Sequence, residues 1–191
     1  MKISKTLHLV IPIETEAGEL FAHSTPIMPE TFKFYARVMA TAFKEIYVDG
    51  PGLLGGPRIA AFILEEVAKR MGMWDGDTGV QVGLIGEINR RTNIMVPSPK
   101  GWMMVPLEDA VRDGTIDSQD ASEVENAICF FTLASSMHRR SELLPIMEQV
   151  SRIWGGRMES LTCSEFMNSL PTSKGIVSST AKSAEGLSVP S

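Results

Sequence analysis

Residues 5–24, KTLHLVIPIETEAGELFAHS, place apolar side chains at every second position on either side of a polar turn. Leu7, Leu9, Ile11 and Ile13 alternate with His8, Val10 and Pro12, the two-residue period of a strand whose odd positions face a core. Glu16-Ala17-Gly18-Glu19 forms a turn and Leu20-Phe21-Ala22-His23 returns, so the stretch reads as a β-hairpin. With the turn centred on Ala17-Gly18, Ile13 faces Ala22 and His23 falls opposite Pro12 rather than His8. That register places His8 and His23 poorly for a shared metal ion.

Beyond Pro26 and Pro29 the period changes to three and four. Phe32, Tyr35, Ala36, Met39, Phe43 and Ile46 predict an amphipathic helix, which Asp49-Gly50-Pro51-Gly52 stops. Gly55-Gly56-Pro57 opens a second helix with proline at its first position. Ala60, Ile63, Leu64, Val67 and Met71 share its inner face, and Gly72 caps its end. Val80, Leu84 and Ile88 predict a third helix from about Gly79 to Arg91. Met95 to Val105, with Pro97, Pro99, Gly101 and Trp102, reads as a loop or a short extended pair.

Pro106 starts a short helix over Leu107 to Arg112, ended by Gly114. Asp117, Ser118 or Asp120 caps a long apolar helix through Val124, Ile128, Phe131 and Ala134 to Met137. Another helix spans about Leu143 to Trp154, with Pro145 tolerable only in its first turn. Thr162-Cys163-Ser164-Glu165 is a capping box for a last short helix carrying Phe166 and Leu170. The remainder, PTSKGIVSSTAKSAEGLSVPS, has no periodicity and no aromatic residue. The expected fold is therefore mainly α with a small N-terminal β-hairpin (5–24). It is an α+β arrangement with one helical domain, residues 1–170, and a flexible, disordered serine-rich tail, residues 171–191.

Composition narrows the function by exclusion. The chain has 191 residues, 43% hydrophobic and 21% charged, with a formal net charge of -5, which argues against a dedicated nucleic-acid binder. Two cysteines and three histidines exclude a disulfide scaffold and leave little for a metal site. Leu7 to Ile13 is too short and too interrupted for a secretory signal, and no run reaches the ~18 apolar residues of a membrane span. A reducing cytoplasm with both cysteines free is expected.

Motif searches find no catalytic, cofactor or metal site. Asp75-Gly76-Asp77-Thr78-Gly79 opens like a calcium loop, but Gly79, Val80 and Gly86 stand where it needs a ligand, glycine and glutamate; it reads as a turn capping the third helix. Gly50 to Arg58 lacks the lysine and hydroxyl of a phosphate loop and reads as a helix connection. There is no G-x-S-x-G elbow. Cys129 lies nine residues before His138 on one helix and points the other way; it reads as a small buried hydrophobe. Glu123 and Glu125 suit the dipole at the helix start, as His138 suits it at the end.

Two clusters remain as candidate partner-binding residues. Arg139 and Arg140 end a helix, either solvated or pairing with Glu142 or with a partner's carboxylates. Among twelve methionines, Met39, Met71, Met137 and Met147 read as core, whereas Trp102, Met103 and Met104 form the candidate apolar patch.

FAHSTPI, GGPRIAAFILEEVAK, NRRTNIMVP, GWMMVPLEDAV, SEVENAICFFTLASSMHRRSEL and SLTCSEFMNSLPTS together resemble the tail assembly chaperones of long-tailed bacteriophages, over about residues 7–173. The resemblance implies a non-enzymatic protein of the host cytoplasm, absent from the mature virion. Its implied partners are the helical tape-measure protein, which it keeps soluble, and the tail-tube protein, which it recruits around that helix. Neither nucleic acid nor membrane is a partner, and a homo-oligomer is left open. The family often makes a longer product by ribosomal frameshift, which would replace the ending after Leu170. The competing reading is a structural virion protein, such as a tail-completion or head-tail connector component. A small enzyme would require His138 to converge with carboxylates in a deep pocket.

Overall fold

In the computed structural model, residues 8–15, 18–154, 157–159 and 161–171 are described. The elements run β1 (His8–Thr15), β2 (Gly18–Ser24), α1 (Pro29–Tyr47), α2 (Gly52–Arg70), a π-helical segment (Val80–Ile85) continuing into α3 (Gly86–Arg90), β3 (Thr92–Ser98), β4 (Gly101–Pro106), α4 (Leu107–Arg112), α5 (Ser118–Met137), α6 (Arg140–Trp154), β5 (Arg157–Glu159) and α7 (Cys163–Ser169). The fold is α+β, as expected. The tail after Pro171 lies outside the described residues.

The hairpin belongs to a larger antiparallel sheet of order β4-β3-β2-β1-β5. Met95 to Val105, read as a loop or an extended pair, supplies β3 and β4, and β3 joins β2 through Phe21↔Met95 and His23↔Asn93. Period-two alternation then sorts the side chains onto two faces. Leu9, Ile13, Leu20, Ala22 and Ile94 enter the main core with α1, α2, α4 and α5. Val10 and Met95 point the other way and are covered by Phe166 of α7. Both faces of the sheet therefore carry buried residues, although only the odd positions of β1 signalled a core.

The hairpin register differs by two residues from the one predicted. Thr15↔Gly18 is the last pair, which puts the turn at residues 16–17, outside the described residues, and pairs Val10 with His23. Gly18 has φ +125° and starts β2 instead of sitting within the turn, and Thr15 Oγ1 donates to Gly18 O at 2.7 Å. A two-residue slip preserves which face each side chain takes. It nevertheless brings His8 and His23 together, with ring centroids 5.0 Å apart, correcting their predicted separation.

Three helix boundaries also differ. α2 begins at Gly52, so Pro57 lies inside it rather than at its first position, and the 50–58 stretch is mostly helix rather than connection. Asn126 Oδ1 from α5 accepts from the Ala61 N–H at 3.0 Å, one turn beyond the proline. Glycines at 55 and 56 let this segment sit close. A Cβ on Gly56 would lie 2.7 Å from Ile46 Cγ2 and 2.8 Å from the Phe130 ring. Pro145 lies within α6, which starts at Arg140, beyond the first turn that sequence logic allowed. The predicted third helix is wound as π over Val80–Ile85, where Tyr35 of α1 packs onto Gly83 and donates to Thr78 O at 2.9 Å. Val80, Leu84 and Ile85 are buried, and a four-residue recurrence does not distinguish α from π winding. Asp75 to Gly79 is a turn that gives the segment no side-chain cap.

Elsewhere the local signals hold. Asp117 caps α5 by accepting from the Gln119 and Asp120 N–H groups, and Thr162 with Glu165 closes the capping box of α7.

Candidate functional site

A cleft of about 920 Å³ opens between the β1–β2 hairpin, the start of α2 and the start of α5. Ile11, Ile13, Val124 and Ala127 give it apolar walls, while Glu14, Glu19, Asp120 and Glu123 bring carboxylates, with Arg58 the one basic side chain among the described residues of its lining. Glu14 and Glu19 are direct cross-strand partners. Like charges so placed repel, an arrangement that costs stability unless a cation relieves it. Partial burial, then Asp117 and Glu123, push the Asp120 carboxyl above its ordinary range. The cleft thus concentrates negative potential beside apolar surface.

The helical end of this site follows from local chemistry. Asp117 must stand outside α5 to cap it, which turns Gln119, Asp120 and Glu123 around the first turns as lining. Sequence reasoning assigned Glu123 to the helix dipole and did not connect it with Glu14 and Glu19. The signal available was an acidic pair at the hairpin tip. What was lacking was the packing that sets that tip beside α5.

The residues predicted to bind a partner are distributed differently. Trp102 packs on Phe21 at 5.7 Å between ring centroids and donates from Nε1 to Pro171 O at 2.9 Å. Met104 shares the α7 face of the sheet with Trp102, whereas Met103 lies on the helix-facing side, since neighbours on a strand alternate. Met103 and Met104 are 50% and 40% exposed. Met95, beside them in sequence, is fully buried. Arg139 joins α5 to α6, exposed, and its backbone N–H donates to Glu142 Oε2 at 3.0 Å. Arg140 opens α6, and its side chain lies outside the described residues. Trp102, Met103 and Met104 share no hydrogen bond, ion pair or ring contact with Arg139.

The nucleophiles and bases are placed as follows. Burial, reinforced by Glu125, pushes the fully buried Cys129 thiol far above its ordinary range. Burial pushes the Cys163 thiol up to about 11, against a hydrogen bond with Asn93. His138 stacks edge-on against Phe43 at 5.3 Å, with Nδ1 3.9 Å from Glu142 Oε2. His8 and His23 are buried beneath α7, and His23 Nε2 lies 3.2 Å from Leu161 O. Among the described residues no group of three or more His, Cys, Asp or Glu side chains could hold a metal ion, and no helix is long and apolar enough to cross a membrane.

Comparison with known protein families, with curated proteins and with solved structures finds no match to this chain.

Proposed function

We propose that this chain is a non-enzymatic chaperone of phage tail assembly that holds a helix of the tape-measure protein and promotes tail-tube polymerisation around it. The observation that carries the reading is the acidic, apolar-walled cleft between hairpin, α2 and α5. A helix with its side chains is about 10–12 Å across and rises 5.4 Å per turn, so the cleft volume corresponds to roughly two turns. A helix laid in such a groove is held by apolar anchors at i, i+3 and i+4. The four carboxylates add a requirement for lysine or arginine flanking that stripe. The likeness to tail assembly chaperones supports the choice of helix, and the volume and charge of the cleft support it as the site.

The test is co-expression with the tape-measure protein, followed by measurement of soluble complex. Glu14→Lys with Glu19→Lys reverses the charge at exposed strand positions and is expected to weaken the complex at least about tenfold, most at low salt. Undiminished binding by a normally folded double variant would reject the cleft as the site. Mass spectrometry of purified virions separates the competing class: stoichiometric presence identifies a structural component, whereas a chaperone is absent.

A further inference from the structure

The sheet ends on β4, and nothing among the described residues pairs with its outer edge. The β3–β4 loop has two residues, so Ser98 and Gly101 must exchange hydrogen bonds with each other. The alternation of an antiparallel ladder then assigns every later position. Gly101, Met103 and Val105 bond inward to β3, while the N–H and C=O groups of Trp102 and Met104 point outward. No described group accepts from those two N–H groups. Pro106, the next outward residue, has no N–H to leave unpaired. Exposed edges are commonly guarded by inserted charge, yet Gly101 to Pro106 contains none.

We propose that this edge joins a second copy of the chain, β4 to β4, antiparallel about a two-fold axis at Met103. Trp102 then lies opposite Met104 of the partner subunit, and both such pairs exchange hydrogen bonds in each direction. Every outward N–H of the strand is satisfied, and the proline that could not donate is not asked to. Met103 meets its counterpart across the axis, covering the half-exposed thioether on the helix-facing side. Charge also favours a copy of the same chain. The register sets Lys100 opposite Pro106 of the partner subunit, beside the first turn of the partner's α4, which carries Glu108 and Asp109. The interface is self-complementary in the sense that a two-fold dimer requires. It rests on strand register alone and is independent of the cleft and its helix.

The experiment uses the full chain. Light scattering at tens of micromolar is expected to give twice the 20.9 kDa chain mass. Met104→Pro, which removes an outward N–H, and Met103→Lys, which opposes two charges at the axis, are each expected to restore the monomer mass with unchanged far-UV circular dichroism. The second serves if the first fails to fold. A non-hydrogen-bonded antiparallel pair holds Cα atoms about 4.5 Å apart, within disulfide range. M103C is therefore expected to cross-link on mild oxidation at least about tenfold faster than V105C or the unmodified chain, whose Cys129 is buried and whose partly buried Cys163 lies in α7, on the other side of the sheet from Met103. A wild-type monomer overturns the proposal, whether or not deleting residues 172–191 releases dimers, as does equal cross-linking of M103C and V105C or a dimer that survives both edge variants.

Discussion

His8 and His23 sit side by side on the sheet face that α7 covers, and both imidazoles are held below their ordinary value of 6.5. Burial is the larger cause for each; His23 lowers His8 further, while Glu159 and Glu165 partly oppose this, and the Leu161 carbonyl and Glu159 oppose it at His23. The unfolded chain takes up protons as pH falls through 6.5, before the folded chain can. Stability is therefore full above that value and declines as pH drops toward the lowered folded values. Thermal melts from pH 7.5 to 5 are expected to show a falling midpoint, with a shallower slope in His8→Phe with His23→Phe, whose rings still pack beside Phe166. An unchanged slope in the double variant would count against the buried pair as its source. Glu87 acts in a separate window. Burial raises its carboxyl, but bonds from Thr31, the Met28 N–H and Arg91 outweigh burial and hold it below 4.5, so its contribution is lost only at more acidic pH. None of this was legible in the residues themselves, because the histidine pairing depends on a hairpin register two residues from the predicted one.

At the scale of the element, helices were legible, and so were the entries to α4, α5 and α7; what caps α1 and where α2 and α6 begin were not. α1 has no capping side chain of its own, since Met28 occupies its N-cap. Glu87 of α3 does the work from a distance: its carboxylate accepts from the Met28 N–H at 2.7 Å and from the Thr31 hydroxyl, and Arg91 steadies it at 2.7 Å. Glu87→Ala is expected to cost about 1–3 kcal/mol, the range for orphaning hydrogen-bonded groups, and Glu87→Gln less, as read by urea denaturation. No local pattern announces a cap supplied from 59 residues away. Pro57 taught the same lesson in reverse. Its preference for a first helical turn was read correctly as chemistry, yet α2 starts earlier because its glycines allow close packing on α1 and α5. Alanine normally gains about 1 kcal/mol over glycine inside a helix. Gly56→Ala is expected to lose stability instead, by about 1–3 kcal/mol, because the added methyl meets Ile46 and Phe130 inside contact distance. A stabilised variant in the same denaturation series would show that those side chains can yield.

The molecule as a whole is one sheet with unequal cover. The helical layer buries the face that carries Leu9, Ile13, Leu20, Ala22 and Ile94 in a core extending through α1, α2 and α5. Among the described residues, the opposite face has only α7 and the few side chains around Val10, Met95 and Phe166. Local periodicity displayed the first core, because it repeats along each helix and along the odd positions of β1. The second is assembled from four strands and a short helix far apart in sequence, and the cleft likewise needs the hairpin tip set against α5, so neither had a local signature. This asymmetry makes a prediction about cooperativity. Phe166 is the largest fully buried side chain on the thin side, in edge contact with Phe21 at 5.7 Å and tilted against His23 at 5.9 Å. Phe166→Ala is expected to cost about 3–5 kcal/mol if α7 unfolds only with the rest of the chain. If α7 instead opens first as its own unit, the global loss is smaller and native-state hydrogen exchange is faster in α7 and β4, while the amides of α2 and α5 keep their protection. The disparity between the two cores favours the second outcome, since the helices retain their full burial when α7 leaves. Uniform loss of protection across α2, α5 and β4 would show that the thin layer and the thick one fold as one cooperative unit.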